Sequence, residues 1–268
     1  MKIGFVQCEP VLGDVQATIK KIDTLIHGCE EADILVLPEL CNSGYNFSSY
    51  QQAQQTSEKI DDSLFIHYLE SMCAQSKIYI VSGFNERSNG ELYNTAVLIG
   101  PNGYIGSYRK LHLFMNEKDW FKPGNTGLPV FDIGLCKLGM LICFDWIFPE
   151  AWRIIALKGA DIICHPSNLV LPGLAQRGVP IHAITNKVYI ITANRVGTER
   201  DLSFTGLSMI VDPKGDTLAQ ASQTKEEIAI KDIDITMARD KMMTKRNNLF
   251  SDRRPKEYTL LIQDNTED

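Results

Sequence analysis

Three residues of this chain combine a reactive group with a place just before or just after an apolar segment. Cys143 follows Leu138-Gly139-Met140-Leu141-Ile142 and precedes Phe144-Asp145-Trp146-Ile147-Phe148-Pro149-Glu150. The run reads as a strand over Lys137–Cys143, and Pro149 suits the first turn of a helix. The thiol is thus expected at a strand-to-helix junction. The thiolate is the reactive form of cysteine, a helix N-terminus favours it, and backbone N–H groups at such a turn can hold an oxyanion. The same setting also suits a cysteine that only packs. Glu39 stands in Val36-Leu37-Pro38-Glu39-Leu40, directly after a buried strand and a proline. A carboxylate taken out of water there would serve as a general base. A surface glutamate opening a loop is the plainer alternative. Lys110 stands in Tyr108-Arg109-Lys110-Leu111-His112-Leu113-Phe114. Most lysines are surface residues, but a buried ammonium beside a carboxylate would stabilise a developing oxyanion.

The elements around these residues alternate. Lys2–Gln7, Ile34–Leu37, Ile78–Ser82, Ala96–Ile99, Ile162–Cys164, Val188–Thr192 and Ser208–Val211 read as further strands. Val15, Ile19, Ile22, Leu25 and Ile26 recur at helical spacing. A second helix is expected from Pro149 through Leu157, with Gly159 as its stop. This alternation marks an α/β fold. The chain also repeats itself. Ala32-Asp33-Ile34-Leu35-Val36-Leu37-Pro38-Glu39 matches Ala160-Asp161-Ile162-Ile163-Cys164-His165-Pro166-Ser167. Ile78 to Gly83 then matches Val188 to Ala193, and Val97 to Gly103 matches Met209 to Gly215. Three matches in one order indicate two similar halves, each a sheet with covering helices. Two sheets face to face, with helices outside, would bury such strands on both sides. No linker rich in Pro, Gly or Ser separates the halves, so residues 1–268 read as one domain. Glu39 and Ser167 become counterparts at equivalent strand ends, where ligands of α/β sheets usually sit.

Composition removes several function classes. The 268 residues are 44% hydrophobic and 22% charged, with a net charge of -6, which argues against a nucleic-acid partner. No apolar run approaches the ~20 residues that span a bilayer, and the N-terminus reads as a strand rather than a leader. The seven cysteines, Cys8, Cys29, Cys41, Cys73, Cys136, Cys143 and Cys164, are odd in number and loosely spaced. They suit a reducing cytoplasm, and all but Cys143 are expected to pack in the core. The five histidines, His27, His67, His112, His165 and His182, lack metal-ligand spacing such as His-x-x-x-His. His112 and His165 adjoin the motifs, and a hydrogen-bonded structural role is expected for both. No metal or cofactor is implied. A noncatalytic binding protein would not need the thiol, carboxylate and ammonium together.

Leu37-Pro38-Glu39, Arg109-Lys110-Leu111-His112 and Cys143-Phe144-Asp145-Trp146-x-x-Pro149-Glu150, in this order and spacing, resemble the motif regions of the nitrilase superfamily, the thiol-dependent carbon–nitrogen hydrolases. The resemblance runs from Ile3 to about Asp232 and includes Tyr93-Asn94-Thr95-Ala96 and Pro123-Gly124. It implies a triad of Glu39, Lys110 and Cys143, with Glu117 as a second glutamate that positions substrate and lysine. It also implies a four-layer α-β-β-α sandwich with two pseudo-symmetric halves, paired into a homodimer or a higher oligomer. The branch it most resembles is the small aliphatic nitrilase and amidase type. The substrate would be a small amide, with nitriles and N-carbamoyl compounds as alternatives, and its pocket would include Tyr45, Phe144, Trp146, Ser167 and Asn168. Many relatives carry Arg where Ile147 stands, and Arg there can grip a substrate carboxylate. Ile147 therefore points to an uncharged substrate end, unless another arginine, such as Arg177 or Arg195, takes over that work.

Overall fold

The computed structural model describes residues 1–27 and 31–263. Cys29, expected in the core, lies outside the described residues. The first half opens with β1 (Lys2–Gln7), α1 (Val15–Ile26) and β2 (Ile34–Val36). Asp14 caps α1 by accepting the Ala17 N–H, and the helical stripe turns Ile22 and Ile26 inward. After α2 (Tyr50–Gln55) and α3 (Leu64–Ser76), the strands β3 (Tyr79–Ser88), β4 (Glu91–Gly100) and β5 (Gly103–Arg109) run antiparallel, and α4 (Glu117–Trp120) follows. The second half holds β6 (Val130–Asp132), β7 (Lys137–Met140), α5 (Pro149–Leu157), β8 (Ile162–Ser167), α6 (Leu174–Asn186) and β9 (Tyr189–Asn194). A short hairpin, β10 (Thr198–Glu199) with β11 (Leu202–Ser203), precedes β12 (Met209–Val211) and β13 (Thr217–Gln220). The chain then crosses back, and β14 (Glu227–Asp232) pairs with β1.

The two six-stranded sheets have the orders β14-β1-β2-β3-β4-β5 and β6-β7-β8-β9-β12-β13. Position by position they agree: an antiparallel edge pair, two parallel pairs, then two antiparallel pairs. The register repeats as well, with Ile34 opposite Tyr79 and Ile162 opposite Tyr189. Asp33 Oδ2 accepts the Lys2 N–H at 2.6 Å, and Asp161 Oδ2 accepts the Lys137 N–H at 3.0 Å. The repeated Ala-Asp-Ile is thus one device used twice: each aspartate takes the first N–H of the neighbouring parallel strand.

Strand alternation builds the layers. Leu35, Leu37, Ile80, Val97 and Ile99 pack outward against Ile22 and Ile26 of α1 and Phe65, Ile66 and Leu69 of α3. Ile3, Phe5, Ile34, Val36, Val81 and Leu98 face inward into one core with Leu138, Met140, Ile162, Ile190 and Ile210 of the other sheet. That core continues to Trp152 and Ile155 of α5 and Val179 and Ala183 of α6. The architecture is the four-layer α-β-β-α sandwich with two matching halves. Several boundaries differ from the sequence expectation: β3 runs on to Ser88, β4 starts at Glu91, and β8 and β9 extend to Ser167 and Asn194. β7 stops at Met140, and Cys143–Ile147 form a single 3-10 turn. Cys143 has φ +41°, in the left-handed region, which a strand does not accept. The helix at 149–157 starts and ends as expected. α6 escaped the periodicity because Gly178 and Pro180 interrupt it and its buried positions are the small residues Ala175, Val179 and Ala183, with Asn186.

Candidate active site

Three strand ends and the start of one short helix deliver the reactive residues. Glu39 follows β2, Lys110 follows β5, Glu117 opens α4, and Cys143 follows β7. Two glycines allow the backbones to meet. A Cβ on Gly83 would stand 2.3 Å from Glu39 Cα, and one on Gly124 would stand 2.0 Å from the Arg109 carbonyl oxygen. Gly83 donates its N–H to the Pro38 carbonyl and Gly124 donates to the Lys110 carbonyl, so both close approaches are hydrogen-bonded. Leu40, next to Glu39, has φ +47°, which turns the chain sharply after the carboxylate.

The side chains converge away from water. Lys110 Nζ lies 2.7 Å from Glu39 Oε1 and 2.7 Å from Glu117 Oε1. Asn94 Nδ2 donates to Glu39 Oε1 at 2.7 Å and to Glu117 Oε2 at 3.4 Å. Tyr45 donates its hydroxyl to Glu117 Oε1 at 2.7 Å. Glu39 Oε2 has no hydrogen-bond partner among the described residues. Burial pushes Glu117 up to about 7, against the pull of Lys110 and helped by the Glu39 charge. Burial alone would lower Lys110, but the two carboxylates outweigh it and hold the ammonium above its ordinary value. Burial, then the Glu39 charge, push the Cys143 thiol well up, while Lys110 and a hydrogen bond from the Asn168 N–H oppose the shift in part. The resting sulfur is therefore a thiol, and a base must take its proton for attack to occur.

Asp145 organises the turn that holds Cys143. Its Oδ2 accepts from the Tyr108 hydroxyl at 2.8 Å and the Ile142 N–H at 2.9 Å. Its Oδ1 lies 2.7 Å from His112 Nδ1, and the His112 ring stacks on Phe148. His165 is fully buried, bonded to the Cys143 carbonyl and to Thr192.

A cavity of about 20 Å³ sits at Cys143, lined by Phe114, Phe144, Trp146, Asn168, Leu169 and neighbouring apolar residues. A second cavity of about 90 Å³ borders it through Phe114 and reaches Tyr45 and Glu117. The structure thus gathers Glu39, Lys110, Glu117, Tyr45, Phe144, Trp146 and Asn168 around the thiol. Ser167 is different. It is fully buried, its hydroxyl donates to the His165 carbonyl, and it lines neither cavity. It ends β8 as the repeat requires, but its side chain faces His165. Ile147 is 48% exposed and also lines neither cavity, so it does not set the charge of the pocket. The last residue of the 3-10 turn faces solvent. Arg177 is exposed, and Arg195 is fully buried with Nη1 2.5 Å from Glu199 Oε1. Asn94 has no role assigned by the sequence: it lies outside the strand expected at Ala96–Ile99, whereas β4 starts at Glu91 and buries it between the two carboxylates. Asp145 gave no signal either, because its partners Tyr108 and His112 are brought to it by the fold and only Ile142 is local.

Residues 2–241 match the family model described as carbon–nitrogen hydrolase. A Pyrococcus abyssi protein named nitrilase is 44% identical over 260 residues, covering 96% of this chain and 99% of its own. An amidase from Nesterenkonia sp. superposes with a TM-score of 0.81 at 25% identity, over 98% of this chain and 96% of its own. A Saccharomyces cerevisiae member of branch 10 of the nitrilase superfamily superposes with a TM-score of 0.82 at 26% identity, over 89% of this chain and 92% of its own. With the family model spanning most of its length and these relatives beside it, the chain belongs to the carbon–nitrogen hydrolases of the nitrilase superfamily.

Proposed function

We propose that this carbon–nitrogen hydrolase is an amidase that releases ammonia from a small uncharged amide through a thioester on Cys143. The observation that carries the reading is Glu39 Oε2, which has no partner among the described residues. The other oxygen of that carboxylate is held by Lys110 and Asn94, which leaves one acceptor free for a proton. In this mechanism Glu39 takes the thiol proton as the sulfur attacks the amide carbon. Lys110 and the Phe144 N–H take up the charge on the oxygen. The adduct collapses, Glu39 returns the proton to the leaving nitrogen, and ammonia departs. Glu39 then deprotonates a water that attacks the thioester, and the acid leaves as the thiol is restored. Glu117, tied to Lys110 and Tyr45, keeps the ammonium in place.

A small neutral substrate fits the surroundings. The residues lining the cavity at Cys143 carry no charge, Arg195 is committed to Glu199, and a substrate carboxylate would meet Glu39 unpaired. The Nesterenkonia amidase supports the amide class: a variant of it has been seen in complex with acrylamide, and another with acrylamide added at the active site cysteine. Nitrile hydrolysis is the second reading, favoured by the name of the Pyrococcus relative. Both pass through a thiol adduct, so the charged cluster serves either. Ammonia release from short amides, nitriles and N-carbamoyl compounds, with and without iodoacetamide, tests the proposal. Ammonia from amides that iodoacetamide abolishes is the expected result; release that survives full alkylation of Cys143 would refute it.

We also propose that residues 1–268 act as one domain and pair as a homodimer. A central core shared by both sheets supports the first point. Ile154 and Leu157 of α5 with Leu174 and Ile181 of α6, exposed on adjoining helices, support the second. A monomer at all concentrations in sedimentation would exclude the dimer. Among the described residues no helix is long and apolar enough to cross a membrane. A catalytic thiol suits a reducing cytoplasm.

A further inference from the structure

The turn that carries Cys143 is held by its carbonyls. His165 Nε2 lies 2.9 Å from the Cys143 carbonyl oxygen, Trp152 Nε1 3.1 Å from that of Asp145, and His182 Nε2 2.7 Å from that of Trp146. A carbonyl only accepts, so each of these ring nitrogens bears the hydrogen. The three rings support one another. His182 stacks on Trp152 with centroids 4.7 Å apart, and His165 meets Trp152 edge-on at 5.5 Å. They come from β8, α5 and α6, so three elements converge on one turn. Burial holds His165 down at about 4 and lowers His182, which keeps both imidazoles neutral near pH 7. The Thr192 hydroxyl, 3.1 Å from His165 Nδ1, can donate to the lone pair left on that ring.

A trans peptide unit is planar, and its C=O and N–H point in opposite directions. Anchoring the Cys143 carbonyl on His165 therefore fixes the direction of the Phe144 N–H, which belongs to the same unit. Among the described residues that N–H, like the Cys143 N–H, donates to no protein acceptor. Both residues line the small cavity. Donation to the carbonyl also polarises the peptide and makes its N–H a stronger donor.

We propose that His165, braced by Trp152 and His182, is a positioning residue that aims the Phe144 N–H at the oxygen on which charge develops. The inference rests on Cys143 being the nucleophile. The test compares the wild type with Cys143→Ala, His165→Phe and His165→Gln. Three quantities are read: kcat and KM for a short amide, inhibition by the corresponding aldehyde, and the rate of Cys143 alkylation by iodoacetamide. The aldehyde forms a charged tetrahedral oxygen, whereas alkylation displaces iodide and forms none. His165→Phe is expected to lower kcat roughly 10- to 100-fold, since losing an oxyanion donor costs about that or more. Aldehyde inhibition should weaken in step, KM should hold, alkylation should keep its rate, and Gln, which restores a donor, should recover most of the loss. An unchanged kcat in His165→Phe would overturn the proposal, as would alkylation falling together with kcat. Should His165→Phe not fold, Thr192→Val, which removes the hydroxyl beside His165 Nδ1, must give the same split at smaller size, and an equal fall in both rates would overturn it. Turnover in Cys143→Ala would instead remove the nucleophile on which the inference depends. A dead Cys143→Ala with a fully active His165→Phe would remove this inference alone.

Discussion

Glu39 Oε1 and Lys110 Nζ stand 2.7 Å apart with both side chains enclosed, while Glu39 Oε2 has no partner among the described residues. Buried carboxylate oxygens are normally satisfied, because an unpaired one costs stability. The cluster therefore holds one end of the carboxylate and presents the other. Glu39→Gln can keep an oxygen toward Lys110 and Asn94 but cannot take a proton. Its kcat should fall about 100-fold or more. A loss under threefold would show that another group is the base.

Cys143→Ala should abolish ammonia release and keep the melting temperature, because it removes one sulfur beside an existing cavity. Rapidly quenched wild-type enzyme should gain the mass of the acyl group on the peptide that contains Cys143. An acyl group found on another residue would reassign the nucleophile.

Glu117 gives a pH signature. Burial raises its carboxyl to about 7, above the ordinary 4.5. Between those values the folded state binds the proton and the unfolded state does not. This group's contribution to stability is thus fully present below about 4.5, falls as pH rises, and is lost above about 7. Glu117→Gln lacks that loss. The melting temperature of the variant relative to wild type should rise from pH 4.5 to pH 7 and then level off. A flat difference would show that Glu117 is not raised.

Gly83→Ala should disturb the base without touching its side chain. The added Cβ would meet Glu39 Cα at 2.3 Å and the Leu40 nitrogen at 2.4 Å, both backbone atoms that cannot swing aside. Overpacking of this kind costs about 1–3 kcal/mol. Thermal unfolding should register the loss, and kcat should fall with it. Wild-type stability and turnover would contradict the close approach.

Ile147 tests the source of substrate preference. Its side chain is 48% exposed and away from the cavity at Cys143. Ile147→Arg should change the ratio of kcat/KM for a neutral amide over a dicarboxylic ω-amide by less than about twofold, because discrimination depends on contacts in the transition state. The wild type should favour the neutral amide. Preference for the dicarboxylic ω-amide by about tenfold, or 1.4 kcal/mol, would place a cation in the pocket.

The sequence by itself determined the two halves and the residue types of the cluster. Ala32-Asp33-Ile34 and Ala160-Asp161-Ile162 could be matched by eye because each aspartate performs a local task, capping the N–H that starts a neighbouring parallel strand. Glu39 and Cys143 were legible because each lies just beyond an apolar run, and Lys110 because it precedes one within a motif that resembles the family's. Tertiary structure decided the rest. Glu39 and Lys110 are 71 residues apart, and nothing local states that one ammonium will lie between two carboxylates. Ser167 and Asn168 are neighbours in sequence, yet only Asn168 lines the cavity, because successive residues at a strand end point to opposite sides. Ile147 shares a five-residue turn with Cys143 but faces solvent, since a single 3-10 turn distributes its side chains around its whole circumference. Hydrogen bonds from His165 and His182 to the same turn join elements whose positions follow from packing two sheets and their helices, a long-range outcome that no spacing in the chain records.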